Sequence, residues 1–325
     1  MVFFHNSSKL MNEVYGKLTK KYRFSSRGPL GWYVGMRVKR KSNGDITLSQ
    51  AEYIDTIVER FGLSNSACQG VDTPWLVGPN GKLSKDMAPK TKREQDEASK
   101  RPYAEAIGAL QWLVGTTRPD IAYAVSAVSR YVTNHGREHW EAVERIIKYL
   151  KNTRDHTLRI RRNPHRNGYL AMEAYADADW AGEVDGRRSQ GGYVIKINGS
   201  TVAARSILQK IVSLSSMESE YISACECAKE IAWARRMLAE LGHPQEGPTT
   251  IWEDNKAAII HSEHATNHNR TKHIDTRYHY LRQQVQVGEI KLRAIATDKR
   301  EADILTKNTA AKLFIKLKQQ VLGLV

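Results

Sequence analysis

Four acidic side chains stand where a mixed β-sheet tends to place its working groups, at the ends of elements: Asp177 in YADADW, Glu220 in SSMESEY, Asp254 in WEDN and Asp303 in READILTK. Carboxylates that converge form the oxygen donor set taken by hard cations. Spacing along the chain does not make them converge, and single acidic residues at strand ends and helix turns are ordinary surface. The set therefore weighs more than its members. Asp177 shares a strand face with Tyr175 and Asp179, because side chains alternate with period two, so one face holds two carboxylates. Glu220 has a rival in Glu218. The two flank the apolar stripe Met217, Tyr221, Ala224, Ala228, Ile231 and Leu238 on opposite edges, and helix geometry does not choose between them.

Other chemistries fit less well. His261, His264, His268 and His273 could suggest zinc, but no cysteine pair sits beside them at ligand spacing. His261-x-Glu263 lacks the downstream Pro-Cys-x-x-Cys of a nucleobase deaminase. Three cysteines, Cys68, Cys225 and Cys227, are too few and too unevenly spaced for a disulfide framework. Basic residues are the second signal: the formal charge is +15, and residues 1–170 carry +13 of it. Such a half suits a polyanion. Lys39, Arg40 and Lys41 on a hairpin, the basic run from Lys148 to Arg166, and Arg187, Arg188, Gln209 and Lys210 beside the early strands of the second half are the candidate contacts. Phosphate contacts of this kind position a duplex without reading its sequence. Trp32, Tyr33 and Trp112 are expected in the core rather than stacked on bases.

The chain that carries these groups has 325 residues, 41% hydrophobic and 26% charged, enough for about two folded domains and unlike a disordered or collagenous sequence. It has no apolar run long enough to span a membrane, and the opening run is too short for a signal peptide, so an intracellular protein is expected. GWYVGMRVKRK, the turn at Ser42-Asn43-Gly44-Asp45 and Ile46-Thr47-Leu48 predict a hairpin. The following AEYIDTIVERFGL predicts a helix capped by Ser49 and closed near Gly62. Residues 64–100, rich in turn formers and including KTKREQDEASK, read as a surface connection. Helical patterning returns in AEAIGALQWLVGTT, IAYAVSAVSRYV and HWEAVERIIKYLKNT. Beyond a boundary near Asn163-Pro164 and Asn167-Gly168 the order becomes strand, strand, strand, helix, strand, helix. Strands are predicted over Tyr169 to Trp180, GGYVIKING, STVAARS, Ile251-Trp252 and Glu289 to Ala296. Helices are predicted from Ser215 to about Leu241, over KAAIIHSE, from His273 to Val287, and as one final helix from Lys299 to Val321. This is an α/β layer pattern.

With those elements in place, YADADWAGEVDGRRSQGGYV, IVSLSSMESEYISACECAKEIAWARRML, IWEDNKAAI, RTKHIDTRYHYLR and ADILTK resemble, in order, the ribonuclease H domain of copia-type retrotransposon polyproteins. Upstream, LGWYVGMRV, ITLSQAEYIDTIVERFGL, VDTP, KLSK, YAEAIGALQWLVGTTRPDIAYAVSAVSRYV and HWEAVERIIKYLK resemble the end of the reverse transcriptase palm, the thumb and the connection of the same polyprotein. The resemblance implies an α+β remnant of reverse transcriptase over residues 1–165. It implies an α/β ribonuclease H-like domain, a mixed five-stranded sheet with flanking helices, over 166–325. It further implies that Asp177, Glu220, Asp254 and Asp303 are catalytic and hold two Mg²⁺ ions, with Mn²⁺ as a substitute, to hydrolyse the RNA strand of an RNA/DNA hybrid. In that family's register a Glu directly precedes Tyr, which selects Glu220 and leaves Glu218 as runner-up and Asp179 as an auxiliary ligand. The implied partners are the hybrid, through its backbone, and the remainder of a Pol polyprotein, with no membrane. The polymerase Tyr-x-Asp-Asp strand does not occur in this sequence, so polymerase activity is not expected. Where cellular ribonucleases H have a histidine-bearing loop, Thr297-Asp298-Lys299-Arg300 stands here, which implies altered product release. A catalytically idle nucleic-acid-binding remnant is the alternative expectation.

Overall fold

The computed structural model describes residues 7–23, 28–65, 70–76, 81–163, 168–263, 272–296 and 299–324. Of the residues singled out above, Cys68, Pro164, Arg166, Asn167, His264, His268, Thr297 and Asp298 lie outside the described residues, as does the side chain of His273. After a helix α1 (Ser8–Lys21) with no buried residue, a small antiparallel sheet is built from β1 (Trp32–Tyr33), β2 (Met36–Arg40), β3 (Ile46–Ser49) and β4 (Leu158–Ile160), in that order. The predicted hairpin is β2 and β3, and β4, which sequence patterning did not single out, closes the sheet by pairing Leu158 with Leu48. Between them lie α2 (Ala51–Arg60), α3 (Lys92–Ser99), α4 (Tyr103–Val114), α5 (Ala122–Ser129) and α6 (Arg137–Asn152).

The second half begins with the antiparallel β5 (Met172–Asp179), β6 (Gln190–Ile197) and β7 (Ser200–Leu208), then α7 (Ser216–Glu240). There follow β8 (Thr249–Glu253), α8 (Lys256–Glu263), α9 (Lys272–Gln286), β9 (Ile290–Ala294), α10 (Asp303–Thr306) and α11 (Ala311–Leu322). The five strands form one mixed sheet ordered β7-β6-β5-β8-β9, with β8 parallel to both β5 and β9. This is the ribonuclease H-like α/β sheet that the resemblance implies. Its α7 face buries Ala174, Ala176, Ile195 and Ile251 against Tyr221, Ala224, Ala228 and Ile231, the stripe expected of that helix.

Three expectations are corrected. The charged run in the expected surface connection forms α3, because Thr91 and Glu94 make a reciprocal capping box in which Thr91 Oγ1 accepts from the Glu94 N–H and the Glu94 carboxylate accepts from the Thr91 N–H. The single final helix is two: Lys307 takes an extended conformation (φ −146°, ψ 166°), and the Asn308 amide donates to the Leu76 carbonyl, so the chain turns before α11 starts. Trp32, Tyr33 and Trp112 are exposed rather than in the core, since β1 is an edge strand and Trp112 lies on the outer face of α4. The turn into α11 has a packing purpose. Phe314, Leu317 and Val321 enter a core with Tyr103, Leu110, Leu113, Val128, Ile146 and Leu150 of the N-terminal helices, so the two halves of the chain share one apolar interior.

Candidate metal and nuclease site

Asp177 lies on β5 opposite Gly192 of β6, and two adjacent glycines bring helices onto both faces of the sheet there. A Cβ on Gly191 would stand 2.4 Å from Ser223 Oγ of α7, and one on Gly192 would stand 2.8 Å from both Leu305 Cβ and Thr306 Cγ2 of α10. Only a residue without a side chain admits such contact. The result is that Glu220 from α7, Asp254 from the turn after β8, and Asp303 from the single turn of α10 gather around Asp177. One carboxylate oxygen from each of Asp177, Glu220 and Asp254 lies within 4.8 Å of the other two. Asp303 joins through cations: Arg300 Nε and Lys307 Nζ each lie 3.2 Å from its Oδ1. Arg300 Nη1 also reaches Asp177 Oδ1 at 2.8 Å and Asp254 Oδ2 at 2.6 Å, and Thr306 donates to Asp177 Oδ2.

The two glutamates that the sequence left as rivals have different surroundings. Ser215 Oγ accepts from the Glu218 N–H at 3.2 Å, and Glu218 Oε2 accepts from the Leu214 N–H at 2.8 Å. Glu218 thus closes its own helix N-terminus. Glu218 Oε1 and Glu220 Oε2 are both buried without a hydrogen-bond partner, but only Glu220 has an oxygen within 4.8 Å of those of Asp177 and Asp254. Asp179 turns toward the chain at Gly182, whose Cβ position would collide with its carboxylate.

One carboxylate went unread in the sequence. Glu253, the last residue of β8, is fully buried, and its Oε1 accepts from the N–H groups of Asp254 and Asn255 at 3.0 and 3.2 Å, which shapes the turn that presents Asp254. Period-two alternation from buried Ile251 would have placed it inward. Lys307 and Arg300, four residues after and three before Asp303, also went unread; both flank α10 rather than lie on it. Burial, then the negative charge of Glu253, Asp177 and Asp254, holds the Glu220 carboxyl well above its ordinary range. Burial also pushes Glu253 up to about 8, with Asp177 and Asp254 adding to the rise. For Asp303 burial and then Asp177 push the carboxyl up to about 6, against the pull of Lys307 and Arg300. Burial opposes the charge of Arg300, but Asp177, Asp303 and Asp254 outweigh it and raise its pKa. Too many buried negative charges share too little positive charge, which is the electrostatic condition that a bound cation relieves.

The basic candidates divide. Lys39, Arg40, Lys41, Arg187 and Lys210 are exposed, and Arg188 is half-buried, 3.7 Å from Glu183. Gln209 is not a surface group: its amide donates to the Ser219 carbonyl at 2.8 Å and accepts from Ser213 Oγ, so it ties β7 to α7. Much of the run after Lys148 is engaged internally. Lys151 donates to the carbonyls of Leu63, Ser64 and Asn65, Arg154 grips Asp55 through two nitrogens at 2.5 and 2.6 Å, and Arg159 pairs with Asp45. Beside the exposed aromatics, the Arg37 guanidinium lies 5.9 Å from the Trp32 ring centroid, so cation and ring share one surface.

No family model matches the chain. Individual proteins do. Over 314 residues, 96% of this chain, it is 39% identical to the retrovirus-related Pol polyprotein from transposon TNT 1-94 of Nicotiana tabacum, of which it spans 23%. It is 32% identical over 226 residues to the putative transposon Ty5-1 protein YCL074W of Saccharomyces cerevisiae, covering 69% of each. Among solved structures, LC11-RNase H1 in complex with an RNA/DNA hybrid superposes on 42% of this chain and 93% of its own, with 12% identity and a TM-score of 0.32. No helix among the described residues is long and apolar enough to cross a membrane. Near-complete coverage at this identity decides the matter: the chain belongs to the retrovirus-related Pol polyproteins of copia-type transposons.

Proposed function

We propose that this chain hydrolyses the RNA strand of an RNA/DNA hybrid, with Asp177, Glu220, Asp254 and Asp303 as the residues that hold two divalent cations. One observation carries the reading: three carboxylate oxygens, one each from Asp177, Glu220 and Asp254, converge within 4.8 Å of one another. An all-oxygen set of this kind suits Mg²⁺, with Mn²⁺ as a substitute. Two such ions, when bound, supply an activated water and neutralise the leaving oxygen. The chain's own groups do the positioning. Glu253 orders the turn beneath Asp254, Thr306 fixes the rotamer of Asp177, and Lys307, 3.4 Å from Asp177 Oδ2 and a third exposed, puts a positive charge on the open side where a phosphate would lie. The exposed Lys39, Arg40, Lys41, Arg187 and Lys210 would meet the hybrid backbone, with the N-terminal half acting as a duplex platform.

The test is incubation of the purified chain with labelled RNA/DNA hybrid, RNA duplex and DNA duplex, in Mg²⁺ and in EDTA. The expected result is cutting of only the hybrid's RNA strand, and only with metal. Asp254, the partly exposed member of the trio, is the informative variant. Asp254→Asn should reduce cleavage by roughly two orders of magnitude or more, consistent with the several kcal/mol that metal stabilisation is worth, and should leave hybrid binding intact. Salt-sensitive binding by a folded wild-type chain that never cuts would instead favour the idle remnant.

A further inference from the structure

Arg300 reaches the middle of the carboxylates. One nitrogen, Nη1, lies 2.8 Å from Asp177 Oδ1 and 2.6 Å from Asp254 Oδ2, while Nε faces Asp303 Oδ1 at 3.2 Å. A single positive centre bridging one oxygen from each of two carboxylates is the arrangement that a divalent cation makes with such a pair. The side chain is only 8% exposed, and its backbone is anchored. The next residue, Glu301, forms a buried ion pair with Lys196 at 2.6 Å, and α10 then begins, wedged by Leu305 and Thr306 against Gly192. The loop therefore delivers the guanidinium to this spot as part of the fold. Two like charges do not share one bridging position: a dication brought to the Asp177 and Asp254 oxygens would meet the guanidinium at contact range in a poorly screened site.

Resting on the reading of this cluster as a divalent-cation site, we propose that Arg300 is an internal competitor for one of the two cations. Its guanidinium holds Asp177, Asp254 and Asp303 together in the metal-free protein, and a divalent ion takes up these oxygens only by displacing it. Arg300 is then a specificity-determining residue for metal loading. It sets a high threshold concentration for occupancy and preserves the carboxylate geometry below that threshold. The idea makes two demands of opposite sign on one substitution. Removing the guanidinium should strengthen metal binding and weaken the metal-free fold, whereas a merely structural ion pair would weaken both.

The experiment uses the full chain as wild type, Arg300→Gln, Arg300→Lys and Asp177→Asn. Each is titrated with Mn²⁺ followed by loss of the free-ion paramagnetic resonance signal, and melted in EDTA and in Mn²⁺. Arg300→Gln should bind Mn²⁺ about tenfold more tightly or better, the scale expected when a unit charge is withdrawn from beside a dication. It should also melt below wild type in EDTA and gain more from the ion. Arg300→Lys keeps the charge that the metal-free fold needs but lacks a fork to bridge two carboxylates, so it should fold and bind Mn²⁺ more tightly than wild type. Equal or weaker binding by the Arg300 variants, with Asp177→Asn binding nothing, would overturn the competitor and leave the metal site standing. Failure of wild type and of both Arg300 variants to bind Mn²⁺ would overturn both readings.

Discussion

Glu253 changes its chemistry on folding more than its place in the sequence suggests. Burial pushes its carboxyl from 4.5 up to about 8, and Glu220 beside it is raised for the same first reason. Between those two values the folded chain keeps a proton that the unfolded chain releases, so the stabilisation is complete below about 4.5 and is lost as the pH rises through about 8. In EDTA, chemical denaturation at a series of pH values should therefore show stability falling toward alkaline pH. Glu253→Gln, which keeps an oxygen to accept from the Asp254 and Asn255 N–H groups, should flatten that fall. An unchanged slope would remove Glu253 from the account. At this scale the sequence was legible where a type sits at an element end, as with Asp177 and Asp254. It was silent where the decisive fact is a third-dimensional partner: Glu218 closes its own helix, whereas Glu220 meets Asp177 and Asp254.

Among the elements, the pair Gly191 and Gly192 matters most for the site, because the sheet is thin enough there for α7 and α10 to touch it from opposite sides. Gly192→Ala would insert a methyl group 2.8 Å from two carbons of Leu305 and Thr306 and force α10 outward. A destabilisation of about 1–3 kcal/mol is expected, as for other overpacked interiors. Activity should drop further than Gly191→Ala makes it drop: both helices carry site carboxylates, but Gly191→Ala meets only the Ser223 hydroxyl of α7, which can rotate away, whereas Gly192→Ala presses on Leu305 Cβ and on Thr306, the Asp177 partner; equal effects from the two substitutions would contradict this. Regular elements were readable because their periodicity is local: β5 through β9, α7 and the hairpin all lie where patterning puts them. The misses have non-local or compositional causes. β4 is a strand only because β3 offers it an edge, α3 is polar on nearly every face and is held by its cap, and the final helix breaks for a contact with Leu76, more than two hundred residues away. Thr91→Ala should test the second case, lowering stability by about 1 kcal/mol through lost capping.

Over the whole molecule, the five-stranded sheet and the upstream helices are tied by more than covalent linkage. Gln190 of β6 accepts from Arg130 at 2.5 Å and donates to Ser126, Asp185 accepts from the Lys85 N–H at 2.9 Å, and α11 lays Phe314 edge-on to Tyr149 with ring centroids 5.8 Å apart. Leu317→Ala, at a fully buried position in that shared interior, should cost about 2–5 kcal/mol. It should also lower the melting of both halves together, seen as one calorimetric transition shifted rather than two separated. Charge asymmetry along the sequence pointed to two unlike halves; it could not show that their interior is common, because that depends on helices meeting across the length of the chain. Helix α11 also sets a clock on synthesis. The apolar surface of α4, α5 and α6 leaves the ribosome well ahead of the segment that covers it. At roughly 5–20 residues per second, the interval before residues 311–322 follow is on the order of ten to thirty seconds. For that time part of this apolar surface stays uncovered, and the yield of the chain in a cell will depend on what shields it until α11 arrives.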